Sequence, residues 1–166
     1  MRLEHLTSDE EDFWRGEFAQ ENWIFGALGL SVTLPEFAGG VPALRTMHAG
    51  DMFAWRALPY IDTDNGGNAV AHPQSLSKAL ATVKNVDTII GGHIPVATWN
   101  DLKEYADFTQ DFVTWAGNEK KAGKTVDQAA AEYKLPVKYK GYVVSVNPQY
   151  GNLKDNLKIV YDELKK

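Results

Sequence analysis

Apolar side chains recur at the spacing of an amphipathic helix in several parts of the chain. The pattern predicts helices over about 9–25, from Pro73 to about Lys84, over about 99–122, over about 126–134, and from about Leu153 onward. Thr98 is a suitable N-cap for the long central helix, and Gly123 is typical of a residue just past a helix end. The apolar stripe of that helix is typical of a buried face and consists of Leu102, Tyr105, Phe108, Phe112 and Trp115.

Short apolar runs between these helices predict strands. The runs lie at 31–34, at 43–48 and at 86–90, and residues 142–146 are also predicted to be extended. The second run stops at Gly50-Asp51, and the third stops at Gly91-Gly92-His93. Because strands alternate with helices, the pattern favours a layered α/β fold.

Composition excludes several classes of function. The chain has 166 residues, 44% of them hydrophobic, and a formal net charge of −5, as expected for an ordinary soluble globular protein. The mild acidity and the absence of a basic block argue against nucleic acid as a partner. With no cysteine, the chain cannot form a disulfide, a thiolate metal site or a cysteine nucleophile.

The N-terminal sequence predicts no targeting or membrane segment. The longest early apolar run, 23–30, is too short to span a bilayer, which takes about 20 residues. The acidic residues at 9–12 are unlike the basic start of a signal peptide. We therefore expect a cytoplasmic protein with no membrane partner, or a periplasmic one if the native N-terminus precedes this sequence.

Two polar residues stand directly after predicted strands. Asp51 and His93 each follow glycine, which allows the backbone to turn sharply and aim both side chains at a shared point. A carboxylate and a neutral imidazole are ligands that suit zinc or a similar divalent ion. The alternative for Asp51 is a backbone cap at a strand-ending turn.

Several short motifs follow one another in a distinctive order. They are TMHAGDMF at 46–53, PYID at 59–62, the glycine pair at 66–67, and IGGH at 90–93. From about Pro42 onward the chain resembles the second half of a metallo-β-lactamase-fold hydrolase. Segments 98–102, 123–128 and 161–164 are similar to the helical tail of bacterial members of that family.

The resemblance implies an α/β fold of a particular kind. We expect a partial metallo-β-lactamase-like arrangement, half of an αββα sandwich, with a helical C-terminal tail. Residues 1–166 would form a single domain, in which 1–41 are a divergent N-terminal helix and connector. Residues 42–166 would be the family-like C-terminal half.

The same resemblance assigns metal-binding roles. Asp51 would bridge two metal ions, and His93 would be a terminal ligand of the second, with zinc or a similar divalent ion as cofactor. Family members carry an H-x-H-x-D-H cluster on an earlier loop and another histidine before the Gly-Asp turn. Histidine occurs here at positions 5, 48, 72 and 93, so no H-x-H pair exists. Since a catalytic zinc takes three protein ligands, we expect a weak or partial site.

His48 and His72 are weaker candidates for metal ligands, and three aromatic residues are candidates for a substrate pocket. Strand alternation predicts that His48 is a packed strand residue pointing away from Asp51, and His72 is expected to be solvent-exposed before a helix. The aromatic residues after Asp51 would line a substrate pocket or would pack in the core and loops. They are Phe53, Trp55 and Tyr60.

Two hypotheses of function remain open. The first is a truncated metallohydrolase-like protein that hydrolyses an ester, thioester, lactone or amide of a small-molecule substrate by metal-bound hydroxide. It would be inactive alone, and the missing ligands would come from a complementing chain with the N-terminal half or from an unexpected local residue. The second is a non-catalytic structural or interaction domain with a remnant metal site. Its apolar sheet face would be covered by the helix at 9–25 or by a second copy in a homodimer.

Overall fold

The computed structural model describes residues 45–53, 56–145 and 151–164. The predicted helix over 9–25, the predicted strand over 31–34 and the proposed connector at 1–41 lie outside the described residues.

Three short strands form one mixed sheet. Strand β1 is Thr46–Gly50, β2 is Thr88–Gly91 and β3 is Ala97–Thr98, and their order in the sheet is β1-β2-β3. The first two strands are parallel, with Met47 opposite Ile89 and Gly50 opposite Gly91, and β3 runs antiparallel to β2. The strands predicted at 43–48 and 86–90 are present, but each continues to the glycine that was expected to stop it.

The segment at 142–146, predicted to be extended, adds no strand to the sheet as far as it is described. Residues 142–145 have no strand structure, and Val146 lies outside the described residues. The Val143 N–H donates a hydrogen bond to the Arg56 carbonyl at 2.9 Å. This segment therefore lies against the loop that follows β1.

The described residues form four α-helices beside the sheet. They are α1 (Ala71–Thr82), α2 (Trp99–Lys121), α3 (Val126–Glu132) and α4 (Leu153–Glu163). The predicted N-cap Thr98 is present, and Thr98 and Thr125 each form a complete capping box. Among the described residues, no helix has the length and apolar character needed to cross a membrane.

The core is built on one face of α2. Tyr105, Phe108 and Phe112 are buried there, as the periodicity predicts, whereas Trp115 is only partly buried. The sheet contributes Met47 and Ile89 to the same cluster, and α1 and α4 pack on α2 from its other sides. Burial of large side chains of this kind is the main stabilising contribution to the fold.

The start of α1 depends on a side chain from the far end of the chain. The Glu163 carboxylate accepts hydrogen bonds from the N–H groups of Ala69 at 3.0 Å and Val70 at 2.9 Å. Asn68 Oδ1 accepts from the Ala71 N–H at 2.6 Å. Free N–H groups at a helix start need such partners, so Glu163 ties α4 to the beginning of α1.

We predict that Glu163→Gln lowers the free energy of unfolding by about 1–2 kcal/mol, because one amide N–H₂ then faces a backbone N–H. Urea denaturation of the two proteins measures the difference. The matched control is Glu132→Gln, which removes a carboxylate that pairs with Lys124 at the surface and should change stability little. Equal stability of Glu163→Gln and the unaltered protein would contradict the assigned cap.

Candidate metal-binding site and adjoining cavity

The carboxyl ends of the two parallel strands bring the predicted ligands together. Gly50 and Gly91 are paired at the ends of β1 and β2, and the Gly92 N–H donates to the Gly50 carbonyl at 2.8 Å. Asp51 and His93 therefore leave the sheet at the same edge, which is where open α/β sheets bind their ligands.

The Asp51 and His93 side chains face one another. Asp51 Oδ1 lies 3.5 Å from His93 Nε2, and the two side chains are 58% and 56% exposed. Two ligands of one tetrahedral zinc ion, each about 2.0–2.1 Å from the metal, lie about 3.3 Å apart. The observed separation is thus close to the one that a shared divalent ion requires, and the exposed edge gives an ion access.

Glycine makes this approach possible at two positions. A Cβ atom on Gly92 would lie 1.8 Å from Asp51 Oδ1, and one on Gly91 would lie 2.3 Å from the Phe53 carbonyl oxygen. The first collision is with a movable side chain, but the second is with backbone. Gly92 therefore leaves room for the Asp51 carboxylate, and Gly91 leaves room for the loop that carries it.

His48 does not join this pair. It is half-buried on β1, opposite Ile90, and its Nδ1 is buried without a hydrogen-bond partner. The prediction of a packed strand residue is consistent with this placement.

The expectation that His72 is solvent-exposed is wrong. The residue belongs to α1, is 3% exposed, and lies edge-on to Tyr105 with ring centroids 6.0 Å apart. Pro73 stands inside the first turn of the helix, as predicted, so the helix starts before it and carries His72 into the core. Burial lowers the pKa of His72 to about 4. The nearby Met52 backbone offsets part of this lowering of the pKa. Neither ring nitrogen of His72 has a hydrogen-bond partner.

The described residues supply only part of a metal centre. Within 45–53, 56–145 and 151–164, no group of three or more histidine, aspartate or glutamate side chains could hold an ion. A catalytic zinc takes three protein ligands and keeps an open position. The pair Asp51 and His93 fits two of these places, and the donor set is incomplete within the described part of the chain.

The aromatic residues proposed for a substrate pocket are separated by the structure. Phe53 is fully buried and stacks on Tyr105 at 4.6 Å, so it belongs to the core, which was the alternative interpretation. Tyr60 is 60% exposed and does not line the cavity described next. Trp55 lies outside the described residues.

A cavity of about 640 Å³ opens beside His93. Its walls come from the loop after β2, from Arg56 and Ala57, from Asp101 at the start of α2, and from the segment 141–145. No sequence pattern predicts this cavity, because residues far apart in the chain form it. The apolar run Ile94-Pro95-Val96 belongs to no predicted helix or strand, and it is the one part of the sequence that indicates an apolar wall here.

One ion pair marks the wall of this cavity. Arg56 Nη2 lies 2.5 Å from Asp101 Oδ1. Asp101 Oδ2 also accepts hydrogen bonds from the N–H of Thr98 at 2.8 Å and from its hydroxyl at 2.7 Å. These hydrogen bonds, together with the charge of Arg56, hold the pKa of the Asp101 carboxyl below its ordinary value. Asp101, whose carboxylate completes the capping box of α2, therefore also orients Arg56.

The fold is a mixed α/β arrangement similar to that of metallo-β-lactamase-fold enzymes, as the sequence predicts. One similar solved structure is the stereoselective inverting sec-alkylsulfatase Pisa1 from a Pseudomonas species, 24% identical over 78% of this chain, with a TM-score of 0.58. A double mutant of the same enzyme matches at 23% identity over 79% of this chain, with a TM-score of 0.59. The chain spans about a fifth of the length of these enzymes, 21% in each comparison. No family model and no curated protein matches it.

We predict different outcomes for alanine at the two adjacent glycines. Gly91→Ala should lower the free energy of unfolding by about 2 kcal/mol or more, because its Cβ meets a backbone oxygen. Gly92→Ala should leave stability nearly unchanged but displace the Asp51 carboxylate from His93. Urea denaturation checks the first effect, and a crystal structure of the Gly92 variant checks the second.

The control is Gly117→Ala, whose Cβ would have only an ordinary contact, 3.4 Å from Leu164. An Asp51–His93 separation that does not change in Gly92→Ala would contradict the assignment.

We also predict that acid destabilises the fold through His72. Its pKa is lower in the folded state, about 4, than the ordinary 6.5, so the stabilising effect of the neutral ring is complete above about pH 6.5 and is lost as the pH falls towards 4. The loss amounts to about 3 kcal/mol. His72→Leu should lack this part of the pH dependence, measured by urea denaturation at pH 7 and pH 4.5. An identical pH dependence of stability in the unaltered protein and in His72→Leu would show that His72 does not cause the acid destabilisation.

Proposed function

We propose that this chain carries part of a metal-dependent hydrolase centre, in which Asp51 and His93 bind zinc or a similar divalent ion. The observation that carries the proposal is the 3.5 Å separation of Asp51 Oδ1 and His93 Nε2 at the carboxyl edge of two parallel strands. A hydrolase-like fold supports it. When bound, such an ion supplies Lewis-acid activation of an ester, thioester, lactone or amide bond.

The remaining ligands come from outside the described residues on this proposal. They belong either to other parts of this polypeptide or to a second chain that completes the centre. Such a chain would carry the H-x-H-x-D-H cluster of the resembled family. Until those ligands are present, Asp51 and His93 hold zinc weakly and the chain has little hydrolytic activity.

Metal binding tests the proposal without relying on activity. We expect isothermal titration of the chelator-treated protein with zinc to show one weak binding event, which Asp51→Asn or His93→Gln abolishes. Dialysis should remove the ion, because two ligands do not complete its coordination. The matched control is Asp64→Asn, an exposed carboxylate in the short helix Thr63–Asn65, which should bind zinc like the unaltered protein.

Two outcomes would overturn the proposal. Zinc binding that persists in both site variants would place the ion elsewhere. Two zinc ions that remain after dialysis would show a complete binuclear centre and contradict the partial site.

A non-catalytic scaffold is the second candidate, favoured by the absence of a three-ligand group among the described residues. Ile90, 39% exposed on β2, is an apolar residue that a partner would cover. On this account the chain forms a homodimer or an interaction module, and Asp51→Ala combined with His93→Ala changes no metal-dependent rate. Light scattering after size-exclusion chromatography measures the oligomeric state. A strict monomer that stays in solution would contradict the dimer.

A further inference from the structure

We propose that the cavity beside His93 is a substrate pocket for a small molecule that joins an apolar chain to an anionic oxygen group, with Arg56 as the residue that receives the anion. The assignment of the ligand as a substrate rests on the proposed function. Binding itself needs only the cavity and therefore is testable without metal.

The apolar part of the ligand is indicated by the walls. Ile94, Pro95 and Val96, from the loop after β2, line the cavity together with Val143. Val96 is 71% exposed and Val143 is 59% exposed, although exposed apolar side chains that cluster are usually covered by a ligand or partner. The volume of about 640 Å³ is in the range of small-molecule pockets.

The anionic group is indicated by Arg56. It is the cation among the described residues that line the cavity, and its side chain is 42% exposed. A guanidinium group has five N–H donors and matches planar oxygen groups well. The Asp101 carboxylate takes the Nη2 donor at 2.5 Å, and it fixes the direction of the group without enclosing it.

The same ion pair argues against a cationic ligand. Asp101 is the acidic side chain among the described lining residues, and both of its oxygens already accept hydrogen bonds, one from Arg56 and the other from Thr98. A positively charged ligand would have to displace a helix cap. An anion only has to share a guanidinium that lies at the surface, where an ion pair is weak.

The location of His93 links the pocket to the candidate metal site. His93 is both a wall residue of the cavity and the partner of Asp51. A ligand whose anionic end lies at Arg56 and whose chain lies along Val96 is therefore next to the residues proposed to bind the ion. This neighbourhood makes a substrate the expected occupant.

The test uses the full chain after treatment with a chelator and follows backbone amide signals by NMR. The probes are octanoate, octyl sulfate and octanamide, which share an apolar chain and differ in charge. We expect octanoate or octyl sulfate to shift the signals of Ala97 and Val143 with saturation, and octanamide to bind at least about tenfold more weakly. The two anionic probes distinguish a carboxylate ligand from a sulfate ligand.

Two pairs of variants locate the binding. Arg56→Met should weaken anion binding about tenfold and leave octanamide unaffected. Arg45→Met is the matched control, because Arg45 forms a similar surface pair with Asp87 and does not line the cavity. Val96→Trp should block all three probes by filling the opening. Val137→Trp, at a valine that is 95% exposed elsewhere, should not.

The outcomes separate this inference from the proposed function. If no probe binds, or if Arg56→Met and Arg45→Met bind octanoate equally, the pocket assignment is wrong, whatever zinc does. If the probes bind as expected and zinc does not bind at Asp51 and His93, the pocket stands and the metal proposal fails.

Discussion

The close approach of two strand ends sets the positions of the candidate site residues. Strands β1 and β2 run parallel and end together, and the Gly92 N–H to Gly50 carbonyl hydrogen bond joins the segments that leave them. A side chain at Gly91 or Gly92 would collide with the loop or with Asp51. The candidate ligands are thus brought together by backbone geometry, and the chemistry of the site follows from three small residues.

Helix α2 connects this edge to the core. On its buried face, Tyr105 stacks on Phe53, which lies two residues after Asp51. Its first turn supplies Asp101, which caps the helix and orients Arg56. One helix therefore supports the site from below and forms part of the adjoining cavity, so the site and the core are not independent parts of the structure.

The sequence was a good guide where the determining interactions are local. Capping boxes at Thr98 and Thr125 and the buried stripe of α2 depend on residues three or four positions apart, and all are present. The convergence of Asp51 and His93 was also predictable, because the glycine before each residue indicates a sharp turn at the end of its strand.

The features that the sequence does not predict depend on contacts between distant segments of the chain. His72 was expected in solvent because it precedes a proline, yet the helix starts earlier and Tyr105 covers the ring. The cap from Glu163 to the start of α1 and the cavity between His93 and Val143 join distant segments. No local pattern encodes such contacts.

Asp51 and His93 are proposed to share one metal ion. Crystals of the protein soaked with zinc, with diffraction data collected on both sides of the zinc absorption edge, show whether they do. We expect an anomalous peak at about 2 Å from both Asp51 Oδ1 and His93 Nε2. A peak bound to other residues, with these two side chains facing one another without an ion, would contradict it.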